Sequence, residues 1–163
     1  MTERKNNPTE APADRSLVLT RVFDAPRHLV FEAWTKKEHL DKWCAPYGFT
    51  IPFSEGDLRV GGAWRCLMIA PNGEKYPVKG VYREIVRDEL LVMTHIWEED
   101  DGTPEHETVV TVRFADEGCK TRVTLEQVNF KSVESREGHK EGWTQCLDIL
   151  AEHLAQLQLE EKA

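Results

Sequence analysis

From Ser132 to about Leu159, the residues Trp143, Cys146, Leu147, Leu150, Leu154 and Leu157 fall in one broad stripe at helical spacing. Everything between Phe49 and Phe130 carries a β pattern instead, broken by turn signals at Gly61-Gly62, Pro71-Asn72-Gly73, Asp88-Glu89, Asp100-Asp101-Gly102 and Glu117-Gly118. That change of period restricts the chain to one long amphipathic helix covering a sheet. The turns delimit six strands, and the β-branched run SLVLTRVF (Ser16 to Phe23) adds another ahead of them. The expected class is α+β, with a seven-stranded antiparallel sheet and a meander as its simplest topology. A sheet of that size twists, so it should curve around the helix and leave a gap.

The 163 residues fit one domain. Residues 1–15 are polar, proline-bearing and aperiodic, so the tail is set at 1–15 and the domain at 16–163. Asp24 is placed to cap a helix from about Pro26 to Trp34, and Leu40 and Trp43 mark a second short helix that stops before Pro46. Asn72-Gly73 suits a tight turn with positive φ, whereas Asp101-Gly102 belongs to a longer loop. Gly138 and Gly142 each cost the long helix about 1 kcal/mol relative to alanine, which suggests that a neighbour approaches closely there.

The balance of 21 Lys and Arg against 29 Asp and Glu leaves a net charge of −8, which argues against nucleic acid and anionic membranes as partners. The first 16 residues lack a signal-peptide core and no later run has the length of a membrane span, so a cytoplasmic location is expected. Cys44, Cys66, Cys119 and Cys146 form no C-x-x-C pair and are read as free thiols.

Alternation puts Trp64, Cys66 and Met68 of the third strand on the inner face, with Ala63, Arg65 and Leu67 outside. In the fifth strand, Leu91, Met93, His95 and Trp97 oppose Leu90, Val92, Thr94 and Ile96. Both sets are too apolar for the sequence to choose between them. The five tryptophans either fill the core or line a ligand cavity.

Seven segments in order carry a family resemblance: RVFDAPRHLVFEAWT (Arg21 to Thr35), EHLDKWCAP (Glu38 to Pro46), DLRVGGAWR (Asp57 to Arg65), KGVYREIV (Lys79 to Val86), ELLVMTHIWE (Glu89 to Glu98), HETVVTVRF (His106 to Phe114) and GHKEGWTQCLDILAEHL (Gly138 to Leu154). Together they resemble homologues of the activator of heat-shock protein 90 ATPase, in the START-like (SRPBCC), Bet-v-1-like superfamily. The resemblance implies a helix-grip fold with a cavity for apolar small molecules. His139 matches the histidine of the family's GH..GW motif, while Cys44 stands where the family commonly has a second tryptophan. That change could widen the cavity mouth or merely alter its packing. The superfamily serves many functions, so function must be argued from the site.

No G-x-S-x-G, H-E-x-x-H, phosphate-loop or G-x-G-x-x-G signature occurs, and no two of the six histidines have metal-ligand helical spacing. No catalytic residue, metal or cofactor is therefore expected. His139 reads most simply as a histidine at the helix start, half in water; Cys146 reads as a small inert core residue. The acidic run from Glu98 to Glu107 reads as a solvated loop. The leading expectation is binding of an apolar small molecule lined by Trp43, Trp64, Met68, His95, Trp97, His139, Trp143 and Cys146. A chaperone-stimulating module is the second reading, and an enzyme using His139 or His95 as acid or base the third. A homodimer is compatible with all three.

Overall fold

The structure, a computed structural model, describes residues 12–98 and 106–162. A 3-10 turn at Pro12–Arg15 precedes β1 (Leu17–Phe23), so regular structure begins just ahead of the Ser16 boundary. Two short helices follow, α1 (Arg27–Thr35) and α2 (Lys37–Trp43). Six strands come next: β2 (Thr50–Gly56), β3 (Ala63–Ile69), β4 (Lys75–Val86), β5 (Leu90–Trp97), β6 (Thr108–Glu117) and β7 (Lys120–Val128). The chain closes with α3 (Val133–Lys162), a helix of 30 residues.

The sheet is seven-stranded and antiparallel, in the order β1-β7-β6-β5-β4-β3-β2. β2 to β7 form the expected meander, and β1 returns to pair with β7 at the far edge. Turn chemistry sets the hairpins. Glu117 pairs with Lys120 across Gly118-Cys119, and Gly118 has φ +68, the conformation that a two-residue turn demands at its first position. The β3–β4 connection is the tight turn expected at Asn72-Gly73: Gly73 has positive φ (+91), the Ala70 N–H donates to the Glu74 carbonyl, and Asn72 Oδ1 accepts a hydrogen bond from the Glu74 N–H. The Asp101-Gly102 turn, like most of the acidic run, lies outside the described residues.

Asp24 does not cap α1. Pro26 occupies the N-cap with φ −71 and ψ 153, no side-chain hydrogen bond caps the helix among the described residues, and the Asp24 carbonyl instead accepts from Gln158 Nε2 on α3. α3 is capped by a side chain, since Ser132 Oγ accepts from the Ser135 N–H.

The core lies between the concave face of the sheet, α1 and α3. Val110, Val112 and Phe114 of β6, Val123 and Leu125 of β7, and Leu147, Leu150 and Leu154 of α3 are buried there. The convex face is left to solvent, with Val18, Val22, Val81 and Val86 exposed on it. Register decides the ambiguous fifth strand: Leu91 pairs with Val112, Met93 with Val110 and His95 with Thr108. Directly paired residues share a face, and Val110 and Val112 are fully buried, so Leu91, Met93, His95 and Trp97 point inward.

Candidate functional site

Sheet, helices and loops enclose a cavity of about 660 Å³, within the range of small-molecule sites. Its deep end is bounded by buried Val78, Tyr82, His95, Val110 and Cys146. Its rim carries the exposed residues Lys37, Glu55, Leu58, Arg65 and Lys75, so it opens to solvent beside α2 and the β2 edge.

Of the eight residues singled out from sequence, Trp64, Met68, His95, Trp97, His139, Trp143 and Cys146 border this cavity. Trp43 does not. It is 1 % exposed, packs edge-on against Trp34 at 4.6 Å and donates its indole N–H to the Ala33 carbonyl at 2.8 Å. α2 turns that ring into the α1 side of the core, and its neighbour Cys44 faces the cavity instead. A tryptophan missed at the sequence level, Trp34, takes the cavity position and stacks on Trp143 at 5.9 Å. Tyr82 and Val78 were missed as well. Their even spacing with Gly80 along β4 was the available signal.

Two hydrogen-bond chains hold the aromatic wall. In the first, Trp143 Nε1 donates to Gln127 Oε1 at 2.8 Å, Gln127 Nε2 to Thr108 Oγ1 at 2.8 Å, and Thr108 Oγ1 to the His95 carbonyl at 3.1 Å. The fully buried Gln127 thereby ties α3 to β5 through β6 and β7. In the second, Trp97 Nε1 donates to His139 Nε2 at 2.8 Å, and His139 Nδ1 donates to the Ser135 carbonyl at 2.8 Å. Both partners agree on one tautomer, with the proton on Nδ1. His139 is half-buried at the start of α3, and its ring is bonded to β5 through Trp97 and to the first turn of the helix through Ser135.

The glycines behave differently from expectation. A Cβ on Gly138 would meet nothing within 4 Å, and one on Gly142 only Pro46 Cγ at 3.8 Å. Both border the cavity, so missing side chains keep space open there and no neighbour fills it. The close approach occurs at Gly80, where a Cβ would lie 1.9 Å from the Thr94 carbonyl oxygen and 2.6 Å from Trp64 Nε1. Absence of a side chain there lets the Trp64 ring lie across β4.

Electrostatically the interior is quiet. Burial pushes the Cys66 thiol up to about 11 and Cys146 to about 12, and it raises Cys44 well above the ordinary thiol value in company with those two thiols. All three stay protonated near neutral pH and are poor nucleophiles. His95 is 7 % exposed, and burial first, then the nearby His139, lowers its pKa to about 3. Among the described residues, no three His, Cys, Asp or Glu side chains gather around a point that could hold a metal ion.

The family model described as "Activator of Hsp90 ATPase homolog 1-like protein" matches residues 24–155. The chain belongs to this family. Solved structures agree with it. A Chromobacterium violaceum protein is 28% identical with a TM-score of 0.79, covering 86% of this chain and 96% of its own. The AHSA1 protein of Silicibacter pomeroyi is also 28% identical with a TM-score of 0.79, covering 89% and 99% respectively. A Nitrosomonas europaea protein is 26% identical with a TM-score of 0.77, covering 90% and 98%. No curated protein matches the sequence. The curved sheet gripping a long C-terminal helix is the helix-grip architecture, and among the described residues no helix is long and apolar enough to cross a membrane.

Proposed function

We propose that this family member binds an apolar small molecule in the space between sheet and α3. The contacts would include Trp64, Met68, His95, Trp97, His139, Trp143 and Cys146. One observation carries the reading: the cavity of about 660 Å³ is bordered by four of the five tryptophans, and four of its six charged lining residues, Lys37, Glu55, Arg65 and Lys75, are exposed at the rim. Apolar surface that stays in contact with water is costly, and a ligand that removes it stabilises the folded state. The protonated thiols and the weakly basic His95 favour holding a ligand over transforming it. Four free cysteines fit the reducing cytosol, where we place the protein.

The test is titration with the neutral probe N-phenyl-1-naphthylamine. Binding should quench tryptophan emission, enhance probe fluorescence and raise the melting temperature, and Gly142→Leu, which projects into the cavity, should weaken all three effects. A probe that changes none of them overturns the proposal.

The family description supplies a second reading, stimulation of an Hsp90-type ATPase. That activity would act through the outer surface, so Gly142→Leu should leave it intact. An ATPase rate that stays at its basal value on adding the purified protein removes this reading.

A further inference from the structure

Four buried side-chain polar atoms lack a hydrogen-bond partner among the described residues: Arg15 Nε, Trp34 Nε1, Trp64 Nε1 and His95 Nδ1. Three of the four belong to residues that border the cavity. A buried polar atom left unpaired costs about 1–3 kcal/mol, so three such atoms in residues that border one cavity need an explanation. Their neighbours are fully engaged. Trp143, Gln127 and Thr108 satisfy one another and the His95 carbonyl, while Trp97 and His139 satisfy each other and Ser135.

His95 is the best placed of the three. Its ring sits 5.2 Å from Trp97, 5.9 Å from Trp64 and 5.9 Å from His139, an aromatic box at the deep end of the cavity. Trp64 Nε1 is pressed against Gly80, and Trp34 is held between Trp43 and Trp143. We propose that the ligand carries one uncharged oxygen, a hydroxyl or a carbonyl, and that His95 binds it inside this box. This deepens the cavity-binding reading above and rests on it. In the neutral His95 ring one nitrogen donates and the other accepts according to tautomer, so Nδ1 can pair with a hydroxyl in either form and with a carbonyl when it carries the proton. A carboxylate is disfavoured because no cation faces His95 within the box, and moving a charge to that depth without a counter-ion is expensive. Charged side chains that could hold one, Lys37, Arg65 and Lys75, stand at the exposed rim.

A matched series reads the preference: naphthalene, 2-naphthol, 2-acetylnaphthalene and 2-naphthoate, measured at pH 7.5 by quenching of tryptophan emission. The naphthol and the ketone should bind at least about tenfold tighter than naphthalene, and the carboxylate no tighter than naphthalene. A preference for only one of the two oxygen ligands identifies hydroxyl or carbonyl as the group taken. His95→Phe should abolish the advantage while keeping naphthalene affinity, and His95→Gln should restore part of it. In the unmodified protein, the 15N resonances of the His95 ring should move with naphthol and stay put with naphthalene, a readout that does not depend on a variant folding. Equal affinities for naphthalene and naphthol, or a His95 ring indifferent to both, overturn the anchor and leave the cavity reading standing. Failure of the whole series to bind overturns both.

Discussion

The indole N–H of Trp97 donates to His139 Nε2 across 2.8 Å, joining the end of β5 to the early turns of α3. These residues are 42 positions apart in the chain, and the bond sets where helix and sheet separate to leave the cavity. His139→Leu removes the acceptor and leaves a half-buried indole N–H unpaired. The variant should lose about 1–3 kcal/mol in urea unfolding, with a shift in tryptophan emission, and His139→Gln should recover part of the loss.

Gly138 and Gly142 have room for a methyl group and sit within a helix. Alanine at either should raise stability by a few tenths to about 1 kcal/mol, because it removes backbone freedom from the unfolded chain without a clash. Chemical denaturation measures this. A loss of stability would mean that the glycines are needed for packing after all.

Gly80 should give the opposite result. A Cβ there would stand 1.9 Å from a backbone oxygen, which cannot swing away as a side chain could. Gly80→Ala should therefore cost at least about 2 kcal/mol and disturb the Trp64 ring, visible in near-ultraviolet circular dichroism.

His95 makes stability depend on pH. Its folded pKa of about 3 lies below the ordinary 6.5, so its contribution is complete above pH 6.5 and is lost as acid protonates the unfolded ring first. The loss runs at about 1.4 kcal/mol per pH unit down towards pH 3. His139 is the titratable neighbour that adds to the depression. Between pH 7 and pH 5 the native protein should lose about 2 kcal/mol more than His95→Phe, as read by denaturant titration at both values.

The cysteines should divide by environment. Cys119 is exposed in the β6–β7 turn, while Cys44, Cys66 and Cys146 border the cavity with raised pKa values. A disulfide reagent at pH 7.5 should label one thiol quickly and the other three slowly, and all four quickly in denaturant. A bound cavity ligand should slow the three further.

Much of the architecture was legible because its signals are local. The turn residues, the inward parity of Trp64, Cys66 and Met68, and the stripe on α3 depend on spacing along a few residues. Trp34 and Trp43 show where local pattern stops being sufficient. Both lie on short helices with apolar neighbours, and only the packing of α2 against α1 sends one ring to the cavity and the other to the core. The fifth strand was equally mute, because both of its faces are apolar and its orientation follows from pairing with β6.

What the sequence determined by itself was therefore the order of elements, the seven strands, the gripping helix and the family. Tertiary structure alone decided which side chains share the cavity, why the two helix glycines leave space, and that the His95 ring is enclosed among aromatic rings with an unpaired nitrogen. The physical reason is one of range. Backbone periodicity is written between neighbours in the chain, whereas a void and an unpaired atom exist only where distant segments meet and fail to fill or satisfy one another.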